Sequence, residues 1–327
     1  MDRRDCIRWG GAAILAPLVG ARAFAQSAYP QGPIRLIVPY APGGVVDSVA
    51  RNWAERMKAP LGTVVVDNRG GGGGTIGATA VAHATADGYT LLFGDTSSQI
   101  IAPSLMQSPP YDIAKDFAAI AMIATSSTAI VVHPSVPANT LDEFIKYAKT
   151  SGKPLSYASA GAGTVTNLAG ELFKQLIGKP DIQHVPYRGA GPGLIDLMAG
   201  VVPMMTPNIT SQVLGFHRAG KVRILAVCAP ARLKAAPEIP AAVETLPGLV
   251  VQLGAGVFAP AGTPPQIIEQ VSAATAKAMQ DADFERVLEA GGLEARADLT
   301  PAGAQAFLAA ERERLVPIIK AAGMQAQ

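Results

Sequence analysis

The stretch "VPYAPGGVVDSVA", residues 38–50, runs from the end of an apolar strand through Pro42-Gly43-Gly44 into a helical pattern. Upstream, "IRLIV" (34–38) reads as a buried strand; downstream, Val46, Val49, Ala50, Trp53 and Met57 recur at helical spacing. A strand that hands over to a helix through two glycines, with no cationic side chain, brings bare backbone N–H groups to the turn. Such a turn lets amides approach a ligand closely. It also puts that ligand at a helix N-terminus, where anions are favoured.

The same alternation recurs along the chain. "TVVVD" (63–67), "YTLLF" (89–93) and "AIVVH" (129–133) read as further buried strands. "TLDE" (140–143) is a Thr-x-x-Glu capping box, and Thr263-Pro264 and Thr300-Pro301 each place an N-cap before a proline. This order predicts an α/β protein with mostly parallel sheets, whose ligands sit at the carboxyl ends of strands. Two more glycine-rich turns follow strands: "RGGGGGTIG" (69–77), read as an ordered loop, and "SAGAGTVTN" (159–167). "PYRGAGPG" (186–193) is a candidate fourth. With Ser, Thr and Asn interleaved, these turns describe a site of backbone donors and hydroxyls that holds a carboxylate without Lys or Arg. Each helix N-terminus favours an anion by about 0.3–1 kcal/mol when exposed and up to about 2 kcal/mol when partly buried.

Residues 1–25 read as a signal peptide: a basic start ("MDRRDCIRWG"), an apolar core ("WGGAAILAPLVG") and a small-x-small cleavage pattern, Ala23-Phe24-Ala25. The apolar core is too short for a membrane span, which needs roughly 20 residues. Arg3-Arg4 suits twin-arginine export, but Cys6 stands where that signal carries Phe, so both export routes stay open. Cleavage near Ala25 removes four Arg and two Asp, leaving 27 − 4 = 23 basic and 25 − 2 = 23 acidic residues, a net charge of zero. A neutral chain has no overall field for gathering nucleic acid or anionic lipid, so no nucleic-acid partner is expected. Only Cys228 remains, in the strand-like "RILAVCAP", which excludes an internal disulfide and a thiolate metal cluster. The mature 327 − 25 = 302 residues imply two lobes and a soluble product in the periplasm.

Enzyme signatures are weak. Gly72-x-Gly74-x-x-Gly77 follows a strand, and Asp95 lies 95 − 72 = 23 positions on, close to the layout of an NAD-dependent dehydrogenase. Four residues (68–71) separate the strand from that fingerprint where a tight turn is wanted, and export argues against a nicotinamide cofactor. His83, His133, His184 and His217 lack metal-ligand spacing and read as structural. Ser159 resembles a nucleophile elbow, but Tyr157 occupies the place of its first glycine. No catalytic residue, metal or cofactor is assigned.

At these same turns the chain resembles the periplasmic solute-binding proteins of tripartite tricarboxylate transporters, the Bordetella-uptake-gene type receptors. The resemblance spans the mature sequence, through "YPQGPIRLIVPYAPGGVVD", "VVVDNRGGGGGTIGATAVAHATADGYTLLFG", "YDIAKDFAAIAMIA", "YASAGAGTVTNLAGELF", "VPYRGAGPGLIDLMAG", "GKVRILAV" and "FAPAGTPPQII". It implies a two-lobed fold of periplasmic binding protein type II, each lobe a mostly parallel sheet flanked by helices, closing over ligand with no catalytic step. Lobe one is expected at 26–125 plus 250–327, and lobe two at 126–249. The implied ligand is a small carboxylate, and the implied partners are integral membrane subunits of the transporter. Nothing in the sequence points to an obligate interface, so a monomer is expected. A periplasmic sensor subunit that presents the same ligand to a signalling partner is the alternative.

Carried over by position, the loop Tyr40 to Asp47 would hold one carboxylate through the Gly43 and Gly44 amides, with Thr75, Ile76 and Ser97 in the same lobe. Ser159, Gly161, Ala162, Gly163, Thr164 and Asn167 would face them from the other lobe, with Tyr187 and Asn208 on the wall. The chain departs from the family at three places. Val45-Val46 stand where the first loop carries Pro-Thr, Asn167 replaces a histidine, and Thr206-Pro207-Asn208 carries no aspartate. With no acidic wall residue to receive an amino group, the ligand is expected to be a carboxylate without ammonium, with an apolar or aromatic body.

Overall fold

A computed structural model describes residues 29–324 apart from 153, 180 and 297, so the signal peptide read at 1–25 lies outside the described residues. Strands β1 (Ile34–Val38), β2 (Val64–Asn68) and β3 (Thr90–Asp95) pair in parallel with β1 in the middle. The helix Val45–Leu61 between the first two buries Val46, Val49, Trp53 and Met57, the face its spacing predicts. Trp53 keeps its indole satisfied there, because Nε1 donates to Thr275 Oγ1 at 3.0 Å.

Strand β4 (Phe117–Ser127) carries the chain out of this sheet, and β5 (Ala129–Val132) opens a second sheet. Strands β6 (Ser156–Ser159), β7 (Gln183–Pro186), β8 (Met204–Met205) and β9 (Arg223–Val227) complete it in the order β7-β6-β8-β5-β9. Strand β10 (Gln252–Pro260) returns to the first sheet and, with β11 (Leu293–Ala295), gives the order β11-β4-β10-β3-β1-β2. Parallel pairing is confined to one part of each sheet: β10 is antiparallel to β3 and β4, and β5 is antiparallel to β8 and β9. The outward and returning strands must run opposite ways, and that requirement sets the mixed pairing.

The chain passes between the sheets at two adjacent points. Cys228 N donates to Thr128 O at 2.7 Å, Thr128 N to Val251 O at 3.0 Å, and Val251 N to Cys228 O at 3.0 Å. The two crossings therefore lie side by side as a short hydrogen-bonded ribbon. Burial pushes the Cys228 thiol up to about 12, which keeps it protonated and inert in its core position.

Two of the three helix starts read from sequence form as capped ends. Thr140 Oγ1 accepts from Glu143 N at 3.2 Å and Thr300 Oγ1 from Gly303 N at 3.0 Å. Thr263 does not cap: its hydroxyl donates back to Pro260 O at 2.8 Å, and the helix begins at Pro265. Among the described residues no helix is long and apolar enough to cross a membrane.

Candidate functional site

A narrow cavity lies between the two sheets, with ≈ 30 Å³ open to a water-sized body inside ≈ 450 Å³ of atom-free space. Four helices begin at its wall. Val45 and Val46 open the helix Val45–Leu61, Val165 and Thr166 the helix Val165–Leu176, Ala190 the helix Ala190–Met198, and Thr210 caps the helix Ser211–Arg218. No Lys, Arg or His lines it. The groups it offers an anion are therefore backbone N–H groups at the helix starts and hydroxyls. Val45, Val46, Leu194, Val213 and Leu253 add an apolar surface, so the cavity suits an anionic group joined to an apolar body.

On the first-sheet side, Asp47 fixes the loop that begins at Tyr40. Its Oδ2 accepts from Gly43 N at 3.1 Å, and its Oδ1 accepts from Arg51 Nε at 3.0 Å and Asn68 Nδ2 at 2.9 Å. Asn68 also donates to Tyr40 O at 3.0 Å, closing the loop on β2. Burial alone would raise the Asp47 carboxyl, but these bonds from Arg51, Asn68 and Gly43 hold it below the usual carboxylate range. The Gly43 amide is thus engaged by Asp47. The helix it precedes has Gly44 as N-cap and no side-chain cap, which leaves its first-turn amides facing the cavity.

The second-sheet side is fixed by neutral groups beside the loop, backed by the Glu171 carboxylate, which accepts from Tyr157 OH at 2.6 Å. Ser159 Oγ lies 2.7 Å from His184 Nε2, Asn167 Nδ2 donates to Tyr157 OH at 2.8 Å, and Gly163 N donates to Asn167 Oδ1 at 3.1 Å. His184 stacks on Tyr157 with ring centroids 4.9 Å apart, and burial lowers its pKa to about 4. It is neutral at pH 7 and serves as a positioning group for the 159–167 loop. Thr164 caps the helix behind that loop by accepting from Asn167 N at 3.2 Å.

The two sides also touch each other. Val165 N donates to Ser97 Oγ at 3.0 Å and Ala41 N to Arg188 O at 3.0 Å, both across the cleft. Several glycines are required here for a reason the sequence reading missed. A Cβ at Gly191 would lie 2.2 Å from Pro42 O, one at Gly73 2.3 Å from Ala162 O, and one at Gly70 2.6 Å from Arg188 O. The glycine-rich turns let opposing backbones meet as well as exposing amides.

Of the residues expected in the site, Tyr40, Gly43, Gly44, Asp47, Ser97, Thr164 and Asn208 line the cavity. The others lie off it. Thr75 Oγ1 donates to Gly72 O, Ile76 is 57 % exposed, and Tyr187 OH donates to Asp196 Oδ2. Ser159 and Asn167 belong to the supporting network, while Gly161, Ala162 and Gly163 form the rim against Gly73 and Ala102. The helix at Ala190 follows the 186–193 turn read as a candidate fourth, whereas the helix at Thr210, whose cap accepts from Val213 N at 3.2 Å, contributes a wall that sequence reading did not assign to the site.

Asp95 corrects an expectation. The wall does carry an acidic residue, drawn from the strand end after "YTLLF" rather than from the Thr206–Asn208 segment. Asp95 is 1 % exposed, and its Oδ1 accepts from Tyr40 OH at 2.8 Å, Ser98 N at 2.9 Å and Ser98 Oγ at 2.8 Å. Burial raises its pKa, against these stabilising bonds. In the fingerprint reading the same residue would hold a ribose. A wider groove of ≈ 760 Å³ lies beside Phe117, Phe258 and Leu308, but none of the four helix starts described above opens onto it. Among the described residues no group of three or more His, Cys, Asp or Glu could hold a metal ion.

Two opposed sheets, two adjacent crossings and a cleft lined by helix starts define a solute-binding fold, and comparison with known proteins agrees. Residues 49–324 match the family described as tripartite tricarboxylate transporter family receptor. BugT of Bordetella pertussis is 34 % identical over 300 residues, covering 90 % of each chain. A solved R. palustris protein with adipate is 31 % identical, with a TM-score of 0.87, over 91 % of this chain and 99 % of its own. MatC of Rhodopseudomonas palustris with bound malate is 32 % identical, with a TM-score of 0.84, over 89 % of this chain and 100 % of its own. The chain belongs to the tripartite tricarboxylate transporter receptor family, a family of solute-binding receptors.

Proposed function

We propose that this receptor works in the periplasm, captures a small carboxylate between its two sheets and delivers it to integral membrane subunits of a tripartite transporter. The convergence of four helix N-termini on one cavity without a Lys or Arg carries this reading. The adipate and malate held by two similar receptors support the ligand class.

The two lobes in this account are the first sheet, 26–125 plus 250–327, and the second sheet, 126–249. Both lobes line the cavity, so its width depends on how far they part. The ribbon at Thr128, Cys228 and Val251 is the place where they turn. Ligand favours the closed state because only that state presents donors from both lobes at once. No covalent step is involved.

The test is thermal denaturation of the purified protein against a panel of carboxylates, with NAD included. A true ligand at 100 times its Kd stabilises by about 2.7 kcal/mol, a plain rise in Tm. A rise with one acid class supports the receptor reading. A rise with NAD alone overturns it.

A further inference from the structure

Asp95 is an awkward neighbour for a carboxylate. It lines the cavity, is almost wholly buried, and no cation lies among the lining residues to neutralise it. The groups that face it are Tyr40 from the loop after β1, Ser97 and Ser98 from the turn after β3, and Tyr111 from the segment before β4. Its pairing partner on β10 is Ala255, and the other acidic group on the wall, Asp47, is bound to Arg51. The three hydrogen bonds to its carboxyl converge on Oδ1, and one comes from the Ser98 amide, which can only donate. Oδ1 is thereby held as an acceptor, which leaves Oδ2 to carry any proton the carboxyl takes up.

A ligand carboxylate at the helix starts would bring a second negative charge into the same low-dielectric space. That arrangement is costly unless something with a hydrogen stands between the two. A hydroxyl or ammonium group on the ligand can supply it. Otherwise the two carboxyls must share a proton.

We propose that Asp95 is a specificity-determining residue that selects carboxylates bearing a hydrogen-bond donor, a hydroxyl or an ammonium group, over plain acids of the same length. The inference rests on the reading of this cleft as a carboxylate site. It replaces the sequence-based expectation of a ligand without ammonium, which assumed that the wall held no acid.

The pH dependence separates the two routes. A plain diacid can bind only with proton uptake, at Asp95 or on its own second carboxyl, so its affinity falls toward tenfold per pH unit once both are ionised in the free state. A donor-bearing acid needs no added proton, and its affinity stays flat over that range. Tyr40 and Tyr111 do not contribute a charge, because burial raises both phenols.

The experiment is calorimetric titration of the protein with succinate, malate and aspartate at pH 5.5 and pH 7.5, repeated with Asp95→Asn. The wild-type protein should prefer malate or aspartate to succinate by at least tenfold once Asp95 is ionised, with the gap narrowing as pH falls. Whichever of the two binds tighter identifies the donor as hydroxyl or ammonium. Asp95→Asn should bring succinate within about threefold of its competitors and leave only the pH dependence of succinate's own carboxyls. The wild-type pH comparison stands even if the variant fails to fold. Equal affinities for the three acids in the wild-type protein, or an unchanged preference in Asp95→Asn, overturn the inference and leave the carboxylate reading standing. Binding of none of the acids, alongside silence across the wider carboxylate panel, removes both.

Discussion

The two loops that frame the cavity do the same job with different chemistry. The first, from Tyr40 to Asp47, is anchored by a carboxylate that binds Arg51, Asn68 and the Gly43 amide. The second, 159–167, is anchored by Ser159, His184, Asn167 and Tyr157, neutral groups that reach a carboxylate only at the far end, where Tyr157 OH donates to Glu171. Both anchors keep cationic side chains out of the cavity wall, so amides are left to attract the ligand. The difference is that acid should loosen the two sides in sequence, the neutral one first.

The largest expected effect belongs to the second loop. His184 has its folded pKa lowered to about 4, against an ordinary value near 6.5, because burial disfavours the imidazolium. The unfolded chain therefore binds the extra proton first as pH falls. Stability is fully present above pH 6.5 and is lost between about pH 6.5 and pH 4, by up to about 3 kcal/mol. Chemical denaturation at pH 7 and pH 4.5 should show this loss, and His184→Gln should remove most of the slope.

The first loop should respond at lower pH. The folded pKa of Asp47 is depressed, so its contribution is present above the ordinary carboxylate value of 3.8 and is lost as pH falls through the depressed one. Asp47→Ala leaves the Asn68 and Gly43 donors without their acceptor and should cost about 1–3 kcal/mol in urea unfolding at pH 7. The Arg51 pair adds little to this figure, since the Arg51 side chain is 52 % exposed. Equal acid midpoints for the wild-type protein and His184→Gln would erase the contrast between the loops.

The smallest effect concerns the helix starts. Thr164 caps the second-loop helix, whereas Gly44 leaves the first-loop helix without a side-chain cap. Thr164→Ala should therefore destabilise by about 1 kcal/mol. Gly44→Ser should stabilise or leave stability unchanged while weakening ligand binding, because a serine hydroxyl then competes for the amides. A thermal scan with and without ligand measures both.

β1, β2, β3, β5 and β9 were legible because each is a short apolar run bounded by turn residues, whereas the long strands β4 and β10, which link the two sheets, were not read. The helix Val45–Leu61 was legible because its buried face repeats at 3.6 residues. Thr263 misled because Thr-Pro also suits a turn, and here the hydroxyl folds back on Pro260. Loop 40–47 was readable as a site because a strand, two glycines and a helix are adjacent in sequence.

The mutual approach of Gly191 to Pro42 and of Gly73 to Ala162 was not readable, since each contact joins segments far apart in the chain. Asp95 was noticed for its spacing from Gly72, yet its place in the wall depends on how the turn after β3 folds back on Tyr40. Local patterns reveal helix starts. Which starts meet at one cavity is decided by the packing of two sheets.

The central claim is that the lobes close on a carboxylate, and Gly191→Ala tests it most directly. Gly191 is in a helix, where alanine is favoured by roughly 0.5–1 kcal/mol, so the variant should fold at least as well as the wild-type protein. Its Cβ would sit 2.2 Å from Pro42 O across the closed cleft. Calorimetry and small-angle scattering, with the acid that stabilises the wild-type protein, should show a loss of affinity on the order of 100-fold, about 2.7 kcal/mol, and no compaction on adding ligand. Wild-type affinity with normal compaction in Gly191→Ala would contradict the account.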